Sequence, residues 1–297
     1  MLACAGRGRV VRVAIEQQEP DMKATAQLRQ ERTTSRDGTE IGYFSSGHGP
    51  PLLLIHGGVG DHSRWDTLRT HLEPHVTVHA MDRRGRGASG DADTWSIERE
   101  YEDVAAVVDA IAAERGQAVD VYGHSMGGHV AFGAVPLTSN LRRLVLYEAW
   151  PMVDPSAIVP PHAFVERLEA LLAESRNEEV VETLFRDAVG SAEEELAQVR
   201  AEPSWPGRVA AAPTIPREIR ATFDHTFDPE QAAKVTVPTL LLVGGEAPER
   251  FQPGPVLAAL PDARLAELRG QEHEADIVAP ELVAEQLVAF LQTEDGR

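Results

Sequence analysis

A serine set between two glycines is the first place in this sequence where a chemical task can be read. Gly123-His124-Ser125-Met126-Gly127 fits the pattern G-x-S-x-G, whose glycines permit a strained turn from strand to helix that lifts the serine hydroxyl out at the end of a sheet. The segment follows a strand-like stretch at 118–122 and runs into an apolar stretch at 130–135, which is the context the pattern requires. Backbone N–H groups at the start of the helix so formed are unpaired and favour negative charge. A second glycine-containing turn, His56-Gly57-Gly58, directly follows the apolar run Leu52-Leu53-Leu54-Ile55. Glycines there leave backbone amides open to a substrate oxygen, as an oxyanion hole demands. The amides of Gly58 and Met126 are the expected pair of donors, and His56 itself is read as structural.

A serine nucleophile needs a base. Of the 11 histidines, His273 is the best placed: it closes Arg269-Gly270-Gln271-Glu272-His273 just before the last helical stretch, and the order serine, acid, histidine accompanies this type of elbow. His124 neighbours the serine in sequence, but an elbow points adjacent side chains in different directions, so packing or a hydrogen bond is its expected job. His62, His79 and His225 have no comparable context and are read as surface or internally satisfied histidines.

The elements that must hold these groups alternate in type. Strands are expected at 40–44, 52–55, 76–81, 118–122, 141–147 and 238–243, and helices at about 65–72, 96–114, 130–135 and 280–291. In the second helix Val104, Val107, Val108 and Ile111 fall at helical spacing and form one buried face. Such alternation predicts an α/β fold with a mostly parallel central sheet and helices on both faces. Residues 151–234 carry helical patterns and no convincing strand, and Pro203, Pro206, Pro213 and Pro216 break the second half into short pieces. The expected organisation is a poorly ordered leader at 1–34, an α/β core at 35–150 and 235–297, and a helical cap at 151–234. Met22 is a candidate alternative start to Met1.

Composition narrows the classes of function. The 297 residues are 42% hydrophobic and 25% charged, ordinary globular usage. Lys and Arg number 28 against 47 Asp and Glu, a formal net charge of -19, so a nucleic-acid or anionic-membrane partner is disfavoured. The only cysteine, Cys4, can form neither an intramolecular disulfide nor a multi-cysteine zinc site. No apolar run approaches the roughly 18 to 20 residues that span a bilayer, no signal-peptide core follows the N-terminus, and a cytoplasmic protein is expected. No metal cluster, Rossmann or P-loop fingerprint is evident, so no cofactor or metal is implied.

Four motifs occur together in order: His56-Gly57-Gly58, Asp82-Arg83-Arg84-Gly85-Arg86-Gly87-Ala88-Ser89, the serine elbow, and the Gly-x-x-His motif ending at His273. With them the chain resembles the α/β-hydrolase superfamily, in particular its small serine esterases and lactonases, over about residues 36–292. The resemblance implies a structural turn for 82–89. It also implies a third triad member, commonly an Asp a few residues after the strand occupied here by Leu240 to Val243. This sequence departs there, reading Gly244-Gly245-Glu246-Ala247-Pro248 with Pro248 at the aligned position. Two substitutes are available. Glu246 lies on nearly the usual loop, and Glu148 follows the strand 141–147, where some members of the superfamily carry the acid. Glu148 is favoured, because the end of the strand next to the elbow can direct a carboxylate towards the histidine.

The expected activity is hydrolysis of a small-molecule carboxylic ester or lactone through an acyl-enzyme, with Ser125 as nucleophile, His273 as base and Glu148 as acid. Carbon–carbon bond hydrolysis and cofactor-free perhydrolysis use a similar set and stay open, as do a lyase or cyclase and a non-catalytic ligand-binding member of the fold. Trp150, Met152, Phe164, Phe185, Trp205, Phe223 and Phe227 supply apolar bulk near the cap. Trp150, Met152 and Phe185 are the substrate-binding candidates, implying an apolar or aromatic group on the substrate.

Overall fold

The computed structural model describes residues 28–151, 153, 161–247, 251 and 253–293. Met1, Met22, most of the expected leader, Met152 and Pro248 lie outside them. In chain order come strand β1 (Arg29–Thr34), β2 (Glu40–Gly47), β3 (Pro51–Ile55), helix α1 (Asp66–Leu72), β4 (Thr77–Met81), α2 (Ile97–Arg115), β5 (Val119–His124), α3 (Met126–Ala134) and β6 (Leu141–Tyr147). A helical insertion follows: α4 (Pro161–Ala173), α5 (Asn177–Thr183), α6 (Glu193–Ala201), α7 (Trp205–Ala210), α8 (Ile215–Asp224) and α9 (Pro229–Ala232). The chain closes with β7 (Thr239–Gly244), α10 (Gly254–Ala259), β8 (Ala263–Leu268), α11 (Ala275–Val278) and α12 (Pro280–Leu291).

The eight strands form one sheet in the order β1-β2-β4-β3-β5-β6-β7-β8. The pairs β1/β2 and β2/β4 are antiparallel, and every pair from β4/β3 to β7/β8 is parallel. This is the α/β-hydrolase architecture. The central strands β3, β4, β5 and β7 are buried along their whole length, as strands covered by helices on both faces must be. Successive residues serve opposite layers: Leu53 and Ile55 join one core with Val104, Val107, Val108 and Ile111 of α2, while Leu52 and Leu54 join another with Leu68 of α1 and Leu287 of α12. Helix α2 stops at Gly116, whose φ of 66° lets its N–H return to the Ala112 carbonyl.

Two differences from expectation share a cause. Residues 29–34, assigned to the leader, form β1, and 263–268, not assigned to a strand, form β8. Both lie at the sheet's edges and are largely exposed or half-exposed, so neither Arg-Gln-Glu-Arg-Thr-Thr nor Ala-Arg-Leu-Ala-Glu-Leu carries the apolar run that marks a central strand. The insertion has its own apolar cluster, including Phe164, Leu168, Val181, Phe185 and Ile215, and this cluster also takes in Val59 from the loop after β3.

Leu54, fully buried on β3, tests the layered core. Leu54→Ala is expected to lower unfolding stability by about 2–5 kcal/mol, read from urea denaturation midpoints at constant slope.

Candidate active site

Strand β5 ends in a backbone reversal. Ser125 adopts φ 52° and ψ -127°, a conformation that costs an L-residue on the order of 1–3 kcal/mol and persists only where its surroundings over-determine it. Here they do so. The Ser125 N–H donates to the Tyr147 carbonyl at 3.0 Å, and the Ser125 carbonyl accepts the N–H groups of Gly128 and His129 at 3.0 and 3.2 Å. Gly127 backs directly onto the loop after β3, and a Cβ there would strike the carbonyl oxygens of both Ile55 and His56. The second glycine of the motif is therefore demanded by close approach between the elbow and the neighbouring loop.

Ser125, His273 and Glu148 line one cavity of about 130 Å³, and Gly58, Met126, Trp150 and Phe185 line it too. Glu148 has a positive φ of 44°, which turns its side chain from the end of β6 across the sheet edge. One carboxylate oxygen accepts the Gly244 N–H at 2.8 Å, and the other meets Nδ1 of His273 at 2.6 Å. Glu246 is exposed. Burial opposes charge on the His273 ring, but the hydrogen bond and negative charge of Glu148 outweigh it and raise the His273 pKa above the ordinary 6.5.

The loop carrying His273 is held from several sides. The His124 ring is buried, which strongly disfavours its protonation; because a carbonyl can only accept, the neutral ring carries its hydrogen on Nε2 and donates it to the His273 carbonyl at 2.8 Å. The Tyr147 hydroxyl donates to the Glu272 carbonyl and accepts the Ala275 N–H at 3.3 Å. Phe251 stacks on the His273 ring, centroids 5.0 Å apart. His124 thus has the hydrogen-bonding job expected of it.

Residues 82–89 do more than turn the chain. Arg83 grips both oxygens of Glu100 at 2.6 and 2.9 Å and donates to the Gly57 carbonyl at 2.9 Å. Arg86 donates to the Gly58 carbonyl at 2.9 Å and pairs with Glu218 of α8. His56 Nε2 accepts the Arg83 N–H at 3.1 Å, leaving Nδ1–H to donate to the Gly57 carbonyl at 2.9 Å. The carbonyls of Gly57 and Gly58 are fixed, and with them the direction of the amide N–H groups in that loop. Among the described residues, neither the Gly58 nor the Met126 N–H is given to a protein acceptor.

Several cavity residues were not anticipated: Arg64, His129, Arg208, Glu218, Phe251 and Glu274. Arg64 bonds Glu274 at 2.7 Å and Asp276 at 2.5 Å across more than 200 residues of chain, a pairing no local spacing announces. Of the expected apolar residues, Trp150 and Phe185 reach the cavity, whereas Phe164 sits in the insertion's own core and Trp205 packs against it. His124, His273 and Glu274 present ligand atoms within 4.8 Å of one another. Glu274 is already bridged by Arg64 and Arg208, however, so a metal ion would have to compete with two guanidinium groups there. No helix among the described residues is long and apolar enough to cross a membrane.

The model of the alpha/beta hydrolase family matches residues 52–286. The chain belongs to this family. It is similar to a crystal structure described as an alpha/beta hydrolase from Sphaerobacter thermophilus, with 36% identity and a TM-score of 0.76 over 88% of this chain and 100% of that one. It is also similar to a protein assigned as a carbamate hydrolase in Azorhizobium caulinodans, 29% identical over 84% of this chain and 94% of the relative. A pimeloyl-[acyl-carrier protein] methyl ester esterase of Xanthomonas campestris matches locally, 37% identical over 35% of this chain and 39% of its own length.

The clamp on the glycine loop predicts that Arg83→Met, which strands Glu100 in the interior, costs about 3–5 kcal/mol of stability. Arg83→Lys is expected to recover little of it, because a single ammonium cannot hold both Glu100 oxygens and the Gly57 carbonyl at once. Urea unfolding of the two variants beside the wild type reads both effects.

Proposed function

We propose that the protein is a serine hydrolase that cleaves a small carboxylic ester or lactone through an acyl-enzyme. The observation that carries the reading is the 2.6 Å bond between Glu148 and His273 Nδ1, in the same cavity as a serine held on a strained elbow. With Nδ1 bound to the carboxylate, Nε2 is the ring nitrogen left for Ser125. His273 takes the hydroxyl proton through it as Ser125 Oγ attacks the carbonyl carbon, and Glu148 stabilises the imidazolium that forms. The carbonyl oxygen gathers negative charge and is met by the Gly58 and Met126 amides. Collapse of the tetrahedral intermediate breaks the bond to the leaving oxygen, which takes the proton back from His273. Water then repeats the sequence on the acyl-enzyme and releases the acid.

The helical insertion acts as a cap that closes the cavity and sets its shape. Trp150 and Phe185 supply an apolar wall for the substrate. Relatives named as an ester hydrolase and a carbamate hydrolase support acyl transfer to water as the reaction class.

Three variants test the assignment on a panel of p-nitrophenyl esters and aryl lactones, with folding checked by circular dichroism. Ser125→Ala is expected to lower kcat roughly 10^6-fold and Glu148→Gln roughly 10^4-fold, with Glu246→Gln within about twofold of wild type. Retained activity in Ser125→Ala, or loss in Glu246→Gln in place of Glu148→Gln, overturns it. The pH profile gives a separate prediction. Protonated His273 cannot accept the serine proton, so kcat/KM falls as pH drops through the His273 pKa. That pKa is raised, which moves the acidic limb to higher pH than an ordinary histidine would give; Glu148→Gln removes the largest raising influence and moves the limb to lower pH.

A further inference from the structure

Two arginines line the cavity, and they are bound very differently. Arg64 is saturated by carboxylates: Nη1 donates to Glu274 Oε2 at 2.7 Å, while Nε and Nη2 donate to the two oxygens of Asp276 at 3.3 and 2.5 Å. Among the described residues, Arg208, on α7 of the insertion, meets an acceptor through Nη2 alone, at 3.1 Å, and it is the same Glu274 oxygen that Arg64 already holds more closely. Among the described residues its Nε is buried with no partner, and the whole side chain is 1% exposed. Its guanidinium carbon lies 5.5 Å from the centre of the Phe185 ring, which together with Leu184 and Ala188 makes that wall apolar.

A guanidinium offers five N–H donors in a rigid fork, and leaving them unmet in an apolar wall is costly. Glu274 does not relieve this, because its charge is shared with a closer arginine. Glu218, another carboxylate of the cavity, is committed to Arg83 and Arg86. A neutral apolar substrate filling the cavity would leave the Arg208 donors as they are. An anionic substrate group would take them up, with the bidentate geometry that guanidinium and carboxylate share.

We propose that Arg208 is a specificity-determining residue that binds a carboxylate carried by the substrate away from the scissile bond, so that the preferred substrates are acidic esters or lactones with an apolar middle. The proposal rests on the hydrolase reading for the word substrate; the binding itself does not require turnover.

Calorimetry on the wild type therefore separates the two. Adipamate and N-acetyl-4-aminobutanoate place a carboxylate on either side of an amide that stands in for the ester; hexanamide and N-butylacetamide are their uncharged counterparts. At least one carboxylate probe is expected to bind about tenfold or more tightly than its neutral partner. That ratio should collapse towards one in Arg208→Met and be partly kept in Arg208→Lys. A merely structural role for Arg208 would weaken charged and neutral probes alike and leave the ratio unchanged. Equal affinities in the wild type, or a ratio that survives Arg208→Met, overturns the proposal, and so does failure of both carboxylates to bind. An Arg208-dependent ratio in a protein that hydrolyses none of the esters would sustain the anion site and refute the hydrolase reading. Ester hydrolysis with no such ratio would do the reverse.

Discussion

The bond between Glu148 and His273 joins segments 125 residues apart, and its geometry depends on most of the fold. A carboxylate at the end of β6 reaches a ring on the loop after β8 only because β7, between those two strands, ends in Gly244, whose N–H takes the other carboxylate oxygen. A Cβ at Gly244 would press on the Gln271 carbonyl of the histidine loop. The positive φ of Glu148 is a local cost that this arrangement must offset. Its yield is electrostatic: a buried imidazole would ordinarily resist protonation, and the carboxylate reverses that.

A second constraint works from the opposite side of the cavity. Arg83, Arg86, Glu100 and Glu218 are buried together, and such ions are tolerable only as a mutually paired set. Because Arg83 and Arg86 also hold the Gly57 and Gly58 carbonyls, the charge cluster that fastens α8 of the insertion to the core fixes the glycine loop as well. The insertion and the glycine loop are parts of one electrostatic unit. Breaking the pairing from either side is therefore felt at the glycine loop.

Local pattern carried the central sheet, the elbow and the α2 face, because each is written in neighbouring residues: unbroken apolar runs for β3 and β7, glycines around Ser125, and helical spacing from Val104 to Ile111. The edge strands β1 and β8 were not legible, since an edge strand need not be apolar. Glu148 could be favoured from the strand it ends, but the choice over Glu246 could not be closed by spacing alone, as it depends on where β7 and the histidine loop meet in space. The arginine–carboxylate clusters were least visible. Arg64 finds Asp276, and Arg86 finds Glu218, through tertiary contact, and in the sequence these residues look like ordinary surface charges.

The central claim is that Ser125 is a nucleophile activated by a histidine that Glu148 holds. Fluorophosphonate labelling followed by peptide mass spectrometry tests it without assuming any substrate. The account predicts a single adduct on the peptide containing Ser125, formed at a rate that falls with pH as His273 protonates and that drops sharply in Glu148→Gln. An adduct elsewhere, no adduct in the folded wild type, or labelling as fast in Glu148→Gln as in the wild type would contradict it.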